Sequence, residues 1–130
     1  MEVLSSRVLL RPRDRVRSTM FYRDMLGLAV HREFPGGTVF VLGGGFLEVS
    51  GQSDVEPGPA EPATVLWLQV RDLVATSAEL TERGVEVLRE PRREPWGLDE
   101  MWIADPDGLR IVLVEVPPDH PMRRDQRFTT

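Results

Sequence analysis

The sequence predicts an α+β fold made of two copies of one small module, each with the element order βαβββ. Two observations support this prediction. Residues 7–14 and residues 65–72 are both largely apolar runs that end in Arg-Asp and lead into a helix-like stretch. Their aspartates, Asp14 and Asp72, lie 58 positions apart (72 − 14), which indicates an internal repeat. Each copy is too short to bury an apolar face alone, so we expect the two copies to share a core or a sheet.

The first module covers about residues 4–51, and its elements follow from apolar periodicity and turn residues. Asp14 is the expected N-cap of its helix, and Gly27 is the expected stop. Glycine-rich turns are expected at 35–37 and 43–45. The predicted elements are a strand at 6–11, a helix at 15–26, and strands at 28–34, 38–42 and 46–50.

The second module covers about residues 63–116, after a proline-containing linker at 52–62 and before a polar tail at 117–130. Asp72 is the expected cap of its helix and Gly84 the expected end. Four helix residues are expected to face inward: Leu73, Ala75, Ala78 and Leu80. The remaining predicted elements are strands at 64–70, 85–88, 100–104 and 109–116, with an irregular loop at 90–97 and a hairpin turn at 105–108.

Composition excludes several classes of function. The 130 residues suit a single domain, and a net charge of −5 argues against nucleic acid and anionic membranes as partners. The chain contains no cysteine and no lysine, which rules out disulfides, thiolate chemistry and Schiff-base lysines. It has neither a run of roughly 20 apolar residues nor a basic-then-apolar signal pattern, so we expect a cytoplasmic protein.

Four segments resemble one known family. They are FYRDMLGL (21–28), RGVEVLREP (83–91), EPWG (94–97) and DPDGLRIVLVE (105–115). Each is weak alone, but their order around an internal repeat resembles the glyoxalase / bleomycin-resistance / extradiol-dioxygenase (vicinal oxygen chelate) superfamily over residues 4–116. The resemblance implies two βαβββ modules whose eight strands form a curled mixed cleft, often completed by homodimerisation.

The resemblance also implies a divalent metal in the enzymes of the family, held by the first and fourth strands of each module. The matching positions in this sequence are Arg7, Glu48, Val65 and Val112. Only Glu48 can bind a metal, and Glu115 has the wrong strand parity to replace Val112. We therefore expect neither metal nor cofactor, with a divalent metal only under the alternative of a metal-dependent enzyme.

Without a metal, Arg7 and Glu48 are expected to pair as the polar anchor of the site, although such a pair can also simply fill space. Glu48 is a weak candidate for a catalytic base. Aromatic residues on the cleft strands, and Trp96 in a loop, suit a planar or amphipathic ligand, with core packing as the alternative. The expected ligand-binding residues are Arg7, Phe40, Phe46, Glu48, Trp67, Trp96, Trp102 and Val112.

The other polar residues of interest are expected to be surface residues. His31 and His120 lie outside the four metal positions. The arginine clusters at 11–17 and 89–93 are expected to be solvated more often than anion-binding.

These observations favour a metal-free protein that sequesters a small aromatic or amphipathic molecule, similar to the bleomycin-resistance branch. The acidic composition favours a cationic ligand. The alternatives are a metal-dependent lyase, isomerase or dioxygenase, a metal-free enzyme that uses Glu48, and a module whose main role is pairing. A homodimer is expected, because sheet edges and the apolar run at 111–116 need cover.

Overall fold

The computed structural model describes residues 1–51 and 64–122, which belong to two compact units. The units consist of Met1–Glu61 with Pro106–Gly108, and of Pro62–Asp105 with Leu109–Thr130. The expected linker at 52–62 lies outside the described residues. The first six residues of the expected tail, 117–122, are described, and the rest of the tail lies outside the described residues.

The helix of the first module changes type partway along. The elements of this module are β1 (Arg7–Leu10), α1 (Arg15–Met20), β2 (Val30–Phe34), β3 (Gly37–Leu42) and β4 (Gly45–Ser50). Asp14 caps α1, because its carboxylate accepts the N–H of Arg17 at 3.1 Å. A π-helical turn, Phe21–Met25, follows α1 directly, and Gly27 ends it with a φ of 72°. The predicted helix is confirmed in position, although its last turn is wider than an α-helix.

The second module repeats this order. Its elements are β5 (Val65–Gln69), α2 (Leu73–Glu82), β6 (Val87–Arg93), β7 (Asp99–Ala104) and β8 (Arg110–Glu115). Asp72 caps α2 by accepting the N–H of Ala75 at 3.0 Å, and Gly84 follows the helix with a φ of 77°. Strand β6 extends to Arg93, so the loop predicted at 90–97 is wrong in its first half.

Helix α2 buries less of its surface than its sequence predicts. Leu73 and Leu80 are buried, whereas Ala75 and Ala78 are exposed. A ten-residue helix with two buried leucines therefore contacts its sheet along a narrow stripe. Within the described ranges, no helix is long and apolar enough to cross a membrane.

Each module forms its own four-stranded mixed sheet. The strand orders are β1-β4-β3-β2 and β5-β8-β7-β6, with the first pair parallel and the others antiparallel in each sheet. The two sheets have the same topology, as the repeat predicts, and the α+β fold class is confirmed. The strands hydrogen-bond as two sheets of four rather than as one sheet of eight.

The apolar run in β8 does not need a partner chain to cover it. Strand β8 lies between β5 and β7, and Ile111, Val114 and Val116 are fully buried within the chain. The expectation that the run at 111–116 needs cover from a second chain is therefore wrong. The homodimer itself stays a prediction that rests on the sheet edges.

Candidate ligand-binding site

Strand alternation gives each sheet two faces, and register shows which side chains share one. In β4, Phe46, Glu48 and Ser50 lie on one side, whereas Leu47 is fully buried on the other. We call the first side the Glu48 face. Strand β1 contributes Arg7 to this face, because Arg7 is the register partner of Phe46.

Arg7 and Glu48 form an ion pair on neighbouring strands of this face. Arg7 Nη1 donates to Glu48 Oε1 at 2.7 Å. Glu48 Oε2 accepts the Ser50 hydroxyl at 2.8 Å and lies 3.8 Å from Nη1 of Arg11. Arg11 in turn donates to the Ser50 hydroxyl at 2.6 Å. Both oxygens of Glu48 therefore have partners, and its side chain is only 12% exposed.

These contacts determine the ionisation of Glu48. Burial is the largest single influence and raises the pKa of this carboxyl. Hydrogen bonds from Ser50 and Arg7, and the charges of Arg7 and Arg11, act in the opposite direction and together lower the pKa below its usual value of 4.5. A general base works best with a pKa near the operating pH, so the geometry argues against the base role considered for Glu48.

Phe46 lies beside the ion pair and contacts two further groups. The guanidinium carbon of Arg7 is 5.8 Å from the centre of the Phe46 ring, which is within cation–π distance. The ring of His31 lies against the same ring, with centroids 4.6 Å apart and planes tilted by 39°. His31 is exposed, as expected, but it belongs to this aromatic group.

Phe40 does not share the Glu48 face, which corrects its expected position in the cleft. Its register partner in β4 is Leu47, so it lies on the opposite side of the sheet. Phe40 is fully buried, and its ring centre lies 6.3 Å from that of Tyr22. Strand β3 is apolar on both sides, and alternation alone gave no signal for which side faces the core.

The corresponding face of the second sheet, here called the Val112 face, carries aromatic and apolar side chains in its central row. Trp67, Val112 and Trp102 are register partners in one row across β5, β8 and β7. Val112 is 4% exposed and Trp102 is partly buried, whereas Trp67 is 45% exposed. Trp67 is therefore the member of this row that a ligand can reach most easily.

The segment after β8 packs, through Met122, against the apolar cluster that contains Val112. The role of Val112 in a ligand site stays a prediction. His120 Nε2 lies 3.1 Å from the carbonyl oxygen of Trp96, and His120 Nδ1 accepts the N–H of Met122 at 3.2 Å. The cluster consists of Leu98, Val112, Val114 and Val116, with Trp102 and Met122 packed against it.

Trp96 is 58% exposed, but its indole is held in place. Its Nε1 donates to Oε2 of the buried Glu100 at 2.7 Å. Two arginines of the cluster expected to be solvated, Arg89 and Arg92, instead pair with the buried Glu94. Burial raises the pKa of Glu94, but the hydrogen bonds and charges of both arginines outweigh burial and lower it. Trp96 thus projects from a loop fixed by ionic contacts.

The four positions at which the resemblance implies a metal do not provide a donor set. Arg7 is a cation, and Val65 and Val112 have no donor atom, so Glu48 alone offers oxygen. Among the residues at 1–51 and 64–122, no group of three or more His, Cys, Asp or Glu could hold a metal ion. A protein without metal or cofactor stays a prediction.

Glu115 has a structural role that the strand parity predicts. It lies on the face of β8 opposite to Val112, and its Oε1 accepts the N–H of Leu73 at 2.8 Å. Leu73 is the first residue of α2, where backbone donors have no partner within the helix. Glu115 therefore ties the last strand to the start of the helix.

Four contributors to the Glu48 face were missed from sequence: Arg11, Ser50, His31 and Arg32. Ser50 lies two residues after Glu48 on the same strand, so the two-residue period contained the signal for it. Arg11 lies four residues after Arg7, so the same two-residue period places both side chains on one face. His31 reaches the face through an irregularity in β2, which alternation does not reveal.

The first module contains a cavity of about 300 Å³. It is lined by residues of α1, β2 and β3, among them Met20, Phe34 and Thr38. None of the expected ligand-binding residues lines it.

Comparison with protein families gives one match. The model of the Glyoxalase/Bleomycin resistance protein/Dioxygenase superfamily matches residues 5–113. No curated protein matches the sequence.

Solved structures show the same fold. The chain is similar to a glyoxalase-related enzyme from Fulvimarina pelagi, with 21% identity, a TM-score of 0.73 and coverage of 90% of both chains. It is also similar to TioX from Micromonospora sp. ML1, with 16% identity, a TM-score of 0.70 and coverage of 90% of this chain and 100% of the other. A superfamily member from Sphaerobacter thermophilus is 25% identical, with a TM-score of 0.67 and coverage of 88% and 98%.

Proposed function

Because the chain belongs to the glyoxalase/bleomycin resistance protein/dioxygenase superfamily, we propose that it binds a small aromatic or amphipathic molecule without a metal ion and without converting it chemically. The observation that supports this most is the state of Glu48. Its carboxylate occupies a metal position of the family but is paired with Arg7 and Ser50. A carboxylate held in this way is a fixed polar anchor rather than a ligand with free lone pairs.

The surroundings of Glu48 favour binding of a molecule with a flat apolar part. Phe46 and His31 offer ring surfaces next to the ion pair, and Leu9 on β1 is 52% exposed. Sites for small molecules combine such apolar walls with a few fixed polar groups.

The role we propose is sequestration in the cytoplasm, by a homodimer. The resemblance to the bleomycin-resistance branch supports an aromatic antibiotic as the first class of ligand to test. The lowered pKa of Glu48 disfavours the alternative of a metal-free enzyme that uses this residue as a base.

The test begins with the metal content of protein purified without chelator, combined with thermal shift on adding Ni²⁺, Co²⁺, Mn²⁺, Fe²⁺ or Zn²⁺. A metal ion that binds only the folded state must raise the melting temperature of the protein. We expect no stoichiometric metal and no shift. Stoichiometric metal with a clear shift would contradict the proposal and return the protein to the metal-dependent enzymes.

The second part compares wild type with Glu48→Gln against a panel of aromatic antibiotics and natural products. Glutamine keeps the size of the side chain and an accepting oxygen, so a binding protein should keep most of its affinity for uncharged members. An enzyme that uses Glu48 should lose nearly all turnover. Conversion of any bound compound by wild type but not by the variant would contradict a purely binding role.

A further inference from the structure

A β-bulge in β2 brings two adjacent side chains to the Glu48 face. The pairing of β2 with β3 shifts register immediately before Arg32, which leaves His31 as an extra residue. His31 contacts the ring of Phe46. Arg32 lies opposite Val39 in the strand register, and Val39 lies opposite Glu48. His31 and Arg32 therefore share one face, although neighbours in a regular strand point to opposite faces.

The Glu48 face is positively charged although the chain is acidic. The described residues place three guanidinium groups on this face, those of Arg7, Arg11 and Arg32, against the single carboxylate of Glu48. The whole chain has a net charge of −5. A local excess of one sign selects ligands of the opposite sign at short range, whatever the net charge.

Arg32 is the arginine of this face that remains available to a ligand. Arg7 pairs with Glu48, whereas Arg32 is exposed and forms no ion pair with any residue in the described ranges. Its guanidinium carbon lies 5.3 Å from the centre of the Phe34 ring, which orients the group. A planar guanidinium binds a carboxylate through two parallel hydrogen bonds.

From these contacts we infer that the Glu48 face binds a small aromatic anion, a planar ring bearing a carboxylate. Arg32 is the charge partner of the carboxylate, and the His31–Phe46 pair is the contact surface for the ring. This inference rests on the proposed binding function and names its ligand class. It replaces the cationic ligand that the acidic composition favours.

The experiment compares three probes of one shape and different charge: 2-naphthoate, neutral 2-naphthamide and cationic 2-naphthylmethylamine. Each is titrated into the full-length, ¹⁵N-labelled protein, and amide shifts give both affinity and location. We expect 2-naphthoate to bind about tenfold more tightly than the amide, which is the worth of one good ionic contact. Shifts should centre on the amides of His31, Arg32 and Phe46, and the amine should bind most weakly.

Two variants separate a local contact from a change in net charge. Arg32→Gln should weaken 2-naphthoate about tenfold and leave 2-naphthamide unchanged. Arg17→Gln, on the exposed surface of α1, removes the same charge elsewhere in the module and should leave both affinities unchanged. Arg32 is exposed, so neither variant disturbs the core.

The outcomes distinguish this inference from the binding function itself. Equal affinity for naphthoate and naphthamide, tighter binding of the amine, or an unchanged affinity in Arg32→Gln would overturn the anionic ligand while leaving a binding protein. Failure of all three probes to bind at millimolar concentration would overturn both.

Discussion

The two modules share a backbone plan and differ in the chemistry of one sheet face. Glu48 in β4 pairs in register with β1, and Val112 in β8 pairs in the same way with β5. At these equivalent positions the first module has a carboxylate held by arginine, and the second has a buried valine in an apolar cluster. The comparison teaches that the two sheets keep one strand order although the residues at equivalent positions of this face differ in chemistry.

Both modules nevertheless contain a carboxylate held by two arginines. Glu48 lies mid-strand with Arg7 and Arg11, whereas Glu94 lies after β6 with Arg89 and Arg92. Burial raises the pKa of each carboxyl, and the arginines reverse this and lower it. In the first module this group forms part of the exposed face, while in the second it fixes the loop that presents an exposed indole.

Gly37 gives the sharpest test of this difference and the largest expected effect. A Cβ there would lie 2.5 Å from Phe34 Cζ and 2.8 Å from Ser50 Cβ. The equivalent position in β7 is Glu100, which has a full side chain. We expect Gly37→Ala to cost up to about 3 kcal/mol in urea unfolding, because either neighbour must move. Gly44→Ala, with nothing within 4 Å, should change stability by less than about 0.5 kcal/mol.

Val112→Ala should have the next largest effect. Val112 is 4% exposed within its cluster, so removing two methyl groups should cost about 2 kcal/mol of unfolding free energy. Glu48→Ala should cost only about 1 kcal/mol, because both arginine partners remain partly hydrated. Equal losses in the two variants would mean that Glu48 is a core element, which would count against an open binding face.

The stability contributed by Glu48 should depend on pH. Its pKa is lowered on folding, so the ionised form favours the folded state, and the contribution is complete above the unfolded value, near 4.5. It is lost as the pH falls through the lower, folded value. The difference in unfolding free energy between wild type and Glu48→Gln should therefore shrink at acidic pH. The difference between wild type and Val112→Ala should stay constant, and a parallel change in both would refute this account.

The smallest expected effect is that of His120→Ala. This change removes the contacts to the Trp96 carbonyl and the Met122 amide, so the segment should detach from the Val112 face. We expect faster proteolysis after residue 116 and altered tryptophan emission, with a loss of no more than about 1 kcal/mol. Asp119→Ala, an exposed neighbour, is the control. Unchanged proteolysis in His120→Ala would show that the segment is held by other contacts.

Much of the fold could be predicted because its signals are local. Asp14 and Asp72 cap the two helices, and Gly27 and Gly84 follow their ends with positive φ, as expected. The contact between Arg7 and Glu48 also followed from the metal positions that the resemblance implies.

The positions of the other residues were harder to predict, because they depend on which side of a strand faces the core or on tertiary packing. The side of β3 on which Phe40 lies could not be read from alternation, because Val39, Phe40, Val41 and Leu42 form an unbroken apolar run. The inward positions of Ala75 and Ala78 followed helical periodicity, but the sheet meets only the leucine stripe of α2. Met122 packs against the cluster that contains Val112, and the proline-rich segment before it gives no periodic signal of this packing.

The bulge in β2 has a practical consequence for protein engineering. Residues 31 and 32 are neighbours in sequence and both reach the Glu48 face, while Val30 pairs with the buried Phe40 and Glu33 with the buried Thr38. Two consecutive codons therefore control an aromatic and a charged contact at once. A library that varies only these two codons would search new ligand specificities while leaving every buried core position unchanged.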